Sequence, residues 1–312
     1  MDKLYLRGMA GQYWYNATEM LAYALLYRRT PEGLIYEKKV KYGEDKLQYI
    51  NFYSPKVRTK EKMPLLIYIH GGGFVSGVTE MRNTYISNWA KKGFLTASIS
   101  YTYAPQKVFP AQFKEIFSAI DFILDKADEY NFDPEKIILA GESAGGYFIS
   151  YVASCLSDKS RLDKLGIDFK HKDTFKIKAL ISHCGCYDFK NMVDKNKPQA
   201  KFPDIKMMSK SFFGKDLDML RKLLSSPDGN ICSPQITKDF PPIFVIWCNK
   251  DLLRYEAFDL EKKLKENSVE YTLYKCGGLN SFHAWSIVTL FKQGKACFDE
   301  AYKFAMKQIT KS

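Results

Sequence analysis

Short apolar runs rich in β-branched residues alternate with longer stretches of helical periodicity along most of this chain. Leu65-Leu66-Ile67-Tyr68-Ile69, Phe94 to Ile99 and Lys136-Ile137-Ile138-Leu139-Ala140 lack sustained polar alternation, which predicts central strands buried on both faces. Ile177 to Ser182, Ile243 to Trp247 and Val269 to Tyr274 continue the series. Ile35 to Tyr42 and Leu47 to Tyr53 alternate instead, as antiparallel strands with one wet face do. Phe113, Ile116, Phe117, Ile120, Ile123 and Leu124 fall on one face of a helix that Pro110 begins. Tyr255 to Leu264 and the segment after Trp285 read as further helices. Strands alternating with helices predict a mostly parallel sheet with helices on both faces.

Two segments break this rhythm. Gly11 to Tyr27 is rich in Tyr, Trp, Leu and Ala, with Asn16 and Glu19 spaced as a capping box. Asp188 to Asp239 interrupts the alternation, with helical pieces around Met207–Phe213 and Asp216–Leu224. Both are candidates for a lid over the strand ends; the first could instead pack outside the sheet.

Composition narrows the class. With 312 residues, 46% hydrophobic and 26% charged, the chain suits one large globular domain. A formal charge of +12 could suit an acidic partner. The basic residues, however, are scattered pairs such as Lys38-Lys39, Lys91-Lys92 and Lys262-Lys263, the pattern of a solvated surface and not of a nucleic-acid footprint. Seven cysteines (Cys155, Cys184, Cys186, Cys232, Cys248, Cys276 and Cys297) match no disulfide framework and fit reduced thiols in a cytoplasm. Cys184-Gly185-Cys186 has no second ligand pair to complete a metal site. The N-terminus lacks a signal-peptide pattern, and its most apolar run, Met20 to Tyr27, is too short to span a bilayer, so stable membrane insertion is not expected.

The candidate chemistry centres on Gly141-Glu142-Ser143-Ala144-Gly145, which joins a buried strand to a helical segment. A serine at such a turn is what the nucleophile elbow of an α/β-hydrolase requires. The serine needs a base, and the base needs an acid to fix its tautomer. In that fold the order is Ser, acid, His. Of four histidines, His70 precedes the serine, His171 lies in a polar run read as solvated, and His183 ends a strand and reads as packed or hydrogen-bonded. His283, after the last strand, remains as base. Asp251, just beyond the strand before it, is the candidate acid, with Asp188 as the alternative. Asp133 reads as a turn and helix-start residue, Glu256 and Asp259 as facing water, and Glu142 as a structural hydrogen-bond acceptor. An oxyanion needs backbone N–H donors. Ala144 supplies one, and His70-Gly71-Gly72-Gly73-Phe74 can supply others.

These residues together resemble the hormone-sensitive-lipase family of α/β-hydrolase esterases. His70-Gly71-Gly72-Gly73-Phe74 matches its oxyanion motif, Gly141 to Gly146 its nucleophile motif, and Asp251-Leu252-Leu253 with His283 its acid and base. Ser100-Tyr101-Thr102-Tyr103-Ala104-Pro105-Gln106 resembles the family's Asp-Tyr-Arg-Leu-Ala-Pro-Glu stretch loosely, with three charged positions replaced by Ser100, Thr102 and Gln106. The resemblance runs from about Pro64 to the C-terminus and implies an α/β-hydrolase fold; residues 1–312 are expected to form one such domain, with a helical cap from about residues 1–30 and 188–235. It further implies that Gly72 and Gly73, with Ala144, form the oxyanion hole.

The expected activity is hydrolysis of carboxylic esters with short to medium acyl groups, in small apolar substrates, through Ser143, His283 and Asp251 and an acyl-enzyme intermediate, without metal or organic cofactor. An aromatic content of 15%, with Tyr13, Trp14 and Tyr15 in the cap, suggests apolar acyl or alcohol groups of modest size. An amidase or formamidase would use the same triad, and a ligand-binding protein could keep the fold without the chemistry. Oligomeric state is not encoded in any of these patterns.

Overall fold

The computed structural model describes residues 3–26, 32–57, 60–278 and 281–311. Eight strands form one sheet in the order β1-β2-β4-β3-β5-β6-β7-β8. They are β1 Leu34–Lys41, β2 Tyr49–Pro55, β3 Met63–Ile69, β4 Leu95–Ile99, β5 Phe132–Glu142, β6 Ala179–His183, β7 Ile243–Cys248 and β8 Tyr271–Cys276. β2 pairs antiparallel with β1 and β4, and every later pairing is parallel.

Side chains alternate between two cores. Leu65, Ile67, Ile69, Ile137 and Leu139 face one. Leu66, Tyr68, Ile138 and Ala140 face the other. Each face is covered, so the stretches of these strands that lie between the two cores are apolar.

The helices of the wind are α2 Asn83–Lys91, α3 Ala111–Leu124, α4 Ala144–Ser157 and α5 Ser160–Leu165, followed beyond β7 by α9 Arg254–Glu266 and α10 Lys292–Ile309. All six apolar positions expected on α3 are buried in the first core. Trp89 of α2 packs against Phe298 of α10 in the second.

The segment between β6 and β7 folds as α6 Phe189–Val193, α7 Pro203–Phe213 and α8 Leu217–Ser225. Phe189 and Phe212 bring it onto Phe74 and Tyr147 in one aromatic cluster, with ring centroids 4.4–6.1 Å apart.

The N-terminal segment is a helix, α1, spanning Lys3–Leu26 and packed on α7. The capping box expected at Asn16 is therefore corrected: Asn16 stands inside a continuous helix, whose start lies near Lys3. Residues 1–2 and 27–30 of the expected cap lie outside the described residues, as do the side chains of Tyr15, Asn16 and Glu19. Among the described residues, no helix is long and apolar enough to cross a membrane.

Candidate active site

The connection from β3 leads to β4 on one side of the sheet, whereas that from β5 leads to β6 on the other. The crevice between β3 and β5 is thus the switch point at the carboxyl edge, where open α/β sheets hold their ligands. The glycine loop follows β3, Ser143 follows β5, Asp251 follows β7 and His283 follows β8.

β5 ends at Glu142 and α4 begins at Ala144. Ser143 between them takes φ 56°, a left-handed value that is costly for a residue with a side chain. Its N–H donates to the His183 carbonyl at 2.9 Å, which holds the turn in place. Gly145 tolerates no side chain, since a Cβ there would collide with the Ile69 carbonyl oxygen.

Glu142 joins this elbow to the glycine loop. Its carboxylate accepts from Gly71 N–H at 2.9 Å, Tyr68 O–H at 2.5 Å and Arg82 Nε at 2.5 Å, all buried. Burial alone would raise its pKa, but the Arg82 charge and these hydrogen bonds outweigh it and hold the carboxyl below its ordinary value. The role expected of Glu142 is the one observed. Gly71 N–H is committed to it, whereas the N–H groups of Gly72 and Gly73, both at positive φ, have no acceptor among the described residues.

Asp251 is fully buried, and its Oδ1 lies 2.9 Å from His283 Nδ1. Leu253 N–H donates to the same oxygen at 2.8 Å. Buried Ser281 ties the two loops together: its Oγ accepts from Asn249 N–H and its carbonyl from Lys250 N–H, each at 2.9 Å. Burial opposes ionisation of both partners, yet their mutual attraction wins. The Asp251 pKa is held below, and the His283 pKa above, its ordinary value. The His283 side chain keeps 41% of its surface exposed, free to meet a substrate. The hydroxyl of Ser143 has no hydrogen-bond partner among the described residues. Such bonds are often long before substrate binds.

The other candidates are placed elsewhere. Asp188 accepts Lys190 N–H at the start of α6 and pairs with Lys263 at 3.0 Å. His70 is buried, stacked on Tyr101, and burial pushes its pKa down to about 4. His183 is buried and hydrogen-bonded as expected, with Nε2 2.8 Å from Tyr85 Oη and Nδ1 2.9 Å from Ser286 Oγ.

Three expectations are corrected. Asp133 starts no helix but stands in β5. His171 is not solvated but half-buried, with Nδ1 2.7 Å from Asp121 Oδ1. Glu256 does not face water. It is fully buried and accepts from Tyr187 N–H, Asp188 N–H, Asn191 and Gln199, which fastens the strand-end loop and the insertion to α9. Asp259 does keep an exposed carboxylate, paired with Lys197 at 3.0 Å.

All seven cysteines are free and buried. The Cys184 thiol lies within 4.8 Å of the Asp251 carboxylate and the His283 ring. The adjoining Cys248 thiol and burial push its pKa well up, so it stays protonated.

Sequence reasoning missed Ser281, Ser286 and Tyr85. Their partners stand 32, 103 and 98 residues away, and no local pattern encodes such contacts.

A cavity of about 50 Å³ opens beside Ser143. Gly73 and Ala144 border it, and Phe74, Phe189, Met192 and Met208 supply much of its apolar wall. It is small beside the roughly 300–1,000 Å³ typical of pockets for drug-sized ligands.

Fold and site define a carboxylesterase-type hydrolase among the hormone-sensitive-lipase-like α/β-hydrolase esterases. The BD-FAE family profile matches residues 50–258, and the chain belongs to that family. An acetyl esterase of Salmonella dublin is 26% identical over 242 residues, 75% of this chain and 69% of that one. An α/β hydrolase of Acanthamoeba polyphaga mimivirus is 30% identical over 102 residues, 32% of this chain and 30% of that one. Esterase B of Lactobacillus rhamnosis shares the fold at a TM-score of 0.82 and 20% identity, over 98% of this chain and 95% of that one.

Proposed function

We propose that the protein hydrolyses short-acyl carboxylic esters through an acyl-enzyme on Ser143. The observation that carries this reading is the 2.9 Å contact between Asp251 and the His283 ring, on the same sheet edge as the Ser143 elbow. His283 takes the hydroxyl proton as Ser143 attacks the acyl carbon, and Asp251 holds the ring in the tautomer that can accept it. The N–H groups of Gly72, Gly73 and Ala144 hold the oxyanion. His283 then protonates the departing alcohol, and water, activated by the same ring, releases the acid.

The cavity beside Ser143 excludes His283 from its lining. The leaving group must lie within reach of His283, so the cavity takes the acyl part. Its volume favours acetyl to butyryl groups. The 188–235 insertion and the N-terminal helix act as a cap over this region, and the seven free thiols suit a reducing, cytoplasmic setting.

The test is turnover of p-nitrophenyl esters of rising chain length beside the matching anilides, in wild type and Ser143→Ala. Ester turnover that falls with chain length and vanishes in the variant supports the reading. Anilides turned over faster than esters, or an active variant, contradict it.

A further inference from the structure

Met208 stands where the insertion meets the oxyanion loop. A Cβ added to Gly73 would lie 2.5 Å from the Met208 methyl carbon and 3.0 Å from its Cγ. The thioether therefore rests directly on the loop that borders the cavity. Ile205, Met208 and Ser209, at i, i+3 and i+4, give α7 one face toward the cavity.

Other positions of α7 meet α1. A Cβ on Gly8 would lie 2.8 Å from Ser211 Oγ, and one on Gly11 would lie 2.6 Å from the Met207 methyl. The two glycines let α1 press closely on α7, so α7 is held between α1 and the cavity. Met208 thus stands in the cavity wall on a helix whose neighbouring positions, Met207 and Ser211, are backed by α1.

We propose that Met208 sets the upper limit on acyl length. This inference rests on the reading of the cavity as the acyl site. A longer acyl chain can enter only by displacing the Met208 side chain from Gly73. Methionine is unbranched and flexible, so the limit is graded and not absolute. Truncating it opens room along the acyl path, whereas a larger rigid ring shortens that path further.

The experiment measures kcat/KM for p-nitrophenyl acetate, butyrate and octanoate in wild type, Met208→Ala, Met208→Phe and a control on the outer face of the insertion, Met219→Ala, whose side chain is exposed. The expected octanoate-to-acetate ratio rises by about tenfold or more in Met208→Ala. It falls in Met208→Phe and stays at the wild-type value in Met219→Ala. A ratio unchanged in both Met208 variants overturns the proposal, as does an equal loss on all three esters. Should Met208→Ala fail to fold, the direction of the Met208→Phe ratio decides alone. Either failure leaves Ser143-dependent ester turnover in the wild type intact, so it is distinct from failure of the proposed function.

Discussion

The carbonyl of His183 accepts the backbone N–H of Ser143 at 2.9 Å. The ring of the same residue lies 2.9 Å from Ser286 Oγ, three residues beyond His283. One buried residue, through its backbone carbonyl and its ring, therefore links the nucleophile turn to the segment that carries the base. Burial lowers its pKa to about 3, so the ring is neutral wherever the enzyme would work. Replacing His183 with Ala is expected to lower kcat by roughly a hundredfold through misplacement of the base. The acid limb of the pH profile should not move, because His183 does not titrate there. Steady-state kinetics across pH checks both halves.

Ser143→Ala should lower kcat by more than about a thousandfold while leaving the thermal unfolding midpoint close to wild type. Turnover and a melting curve on the same preparation are sufficient.

His283 must be neutral to accept the serine proton, and its pKa is raised above its ordinary value by Asp251. Activity should accordingly be lost as the pH falls through a value above about 6.5. Asp251→Asn removes the charge that raises the ring's pKa, so the acid limb shifts to lower pH while kcat falls by about ten thousandfold. Asp188→Asn should leave kcat far less affected. A pH series of kcat/KM for the three proteins decides between the two carboxylates.

Arg82 and Glu142 form a buried ion pair at 2.5 Å. Arg82→Leu deprives the buried carboxylate of its facing cation, and breaking such a pair costs about 3–5 kcal/mol. The folded-state pKa of Glu142 is depressed. Its stabilising contribution is complete above the unfolded carboxyl value near 4.3 and is lost as the pH falls through the lower folded value. The gap between wild type and Arg82→Leu in urea midpoint should therefore be widest at neutral pH and narrow in acid.

Much of this architecture was legible in the chain. Strand stretches buried on both faces are apolar, and Leu65 to Ile69 and Ile137 to Ala140 announce themselves that way. The elbow was legible because a close approach such as that of Gly145 to the Ile69 carbonyl admits no other residue. The start of α1 was misread because Asn16 and Glu19 have capping-box spacing inside a longer helix. Glu256 was misread because its burial depends on four donors from 57 to 69 residues away, which helical periodicity cannot register. The commitment of Gly71 to Glu142 was likewise hidden, since Gly71, Gly72 and Gly73 are alike in sequence and differ only in where their N–H groups point.

The central claim is that His283, held by Asp251, makes the Ser143 hydroxyl reactive. Labelling with a short-chain alkyl p-nitrophenyl phosphonate, followed by peptide mass spectrometry, tests it most directly. The account predicts one adduct per chain on the peptide carrying Ser143, formed much more slowly in His283→Ala. An adduct on another residue, or equal labelling rates in wild type and His283→Ala, would contradict it.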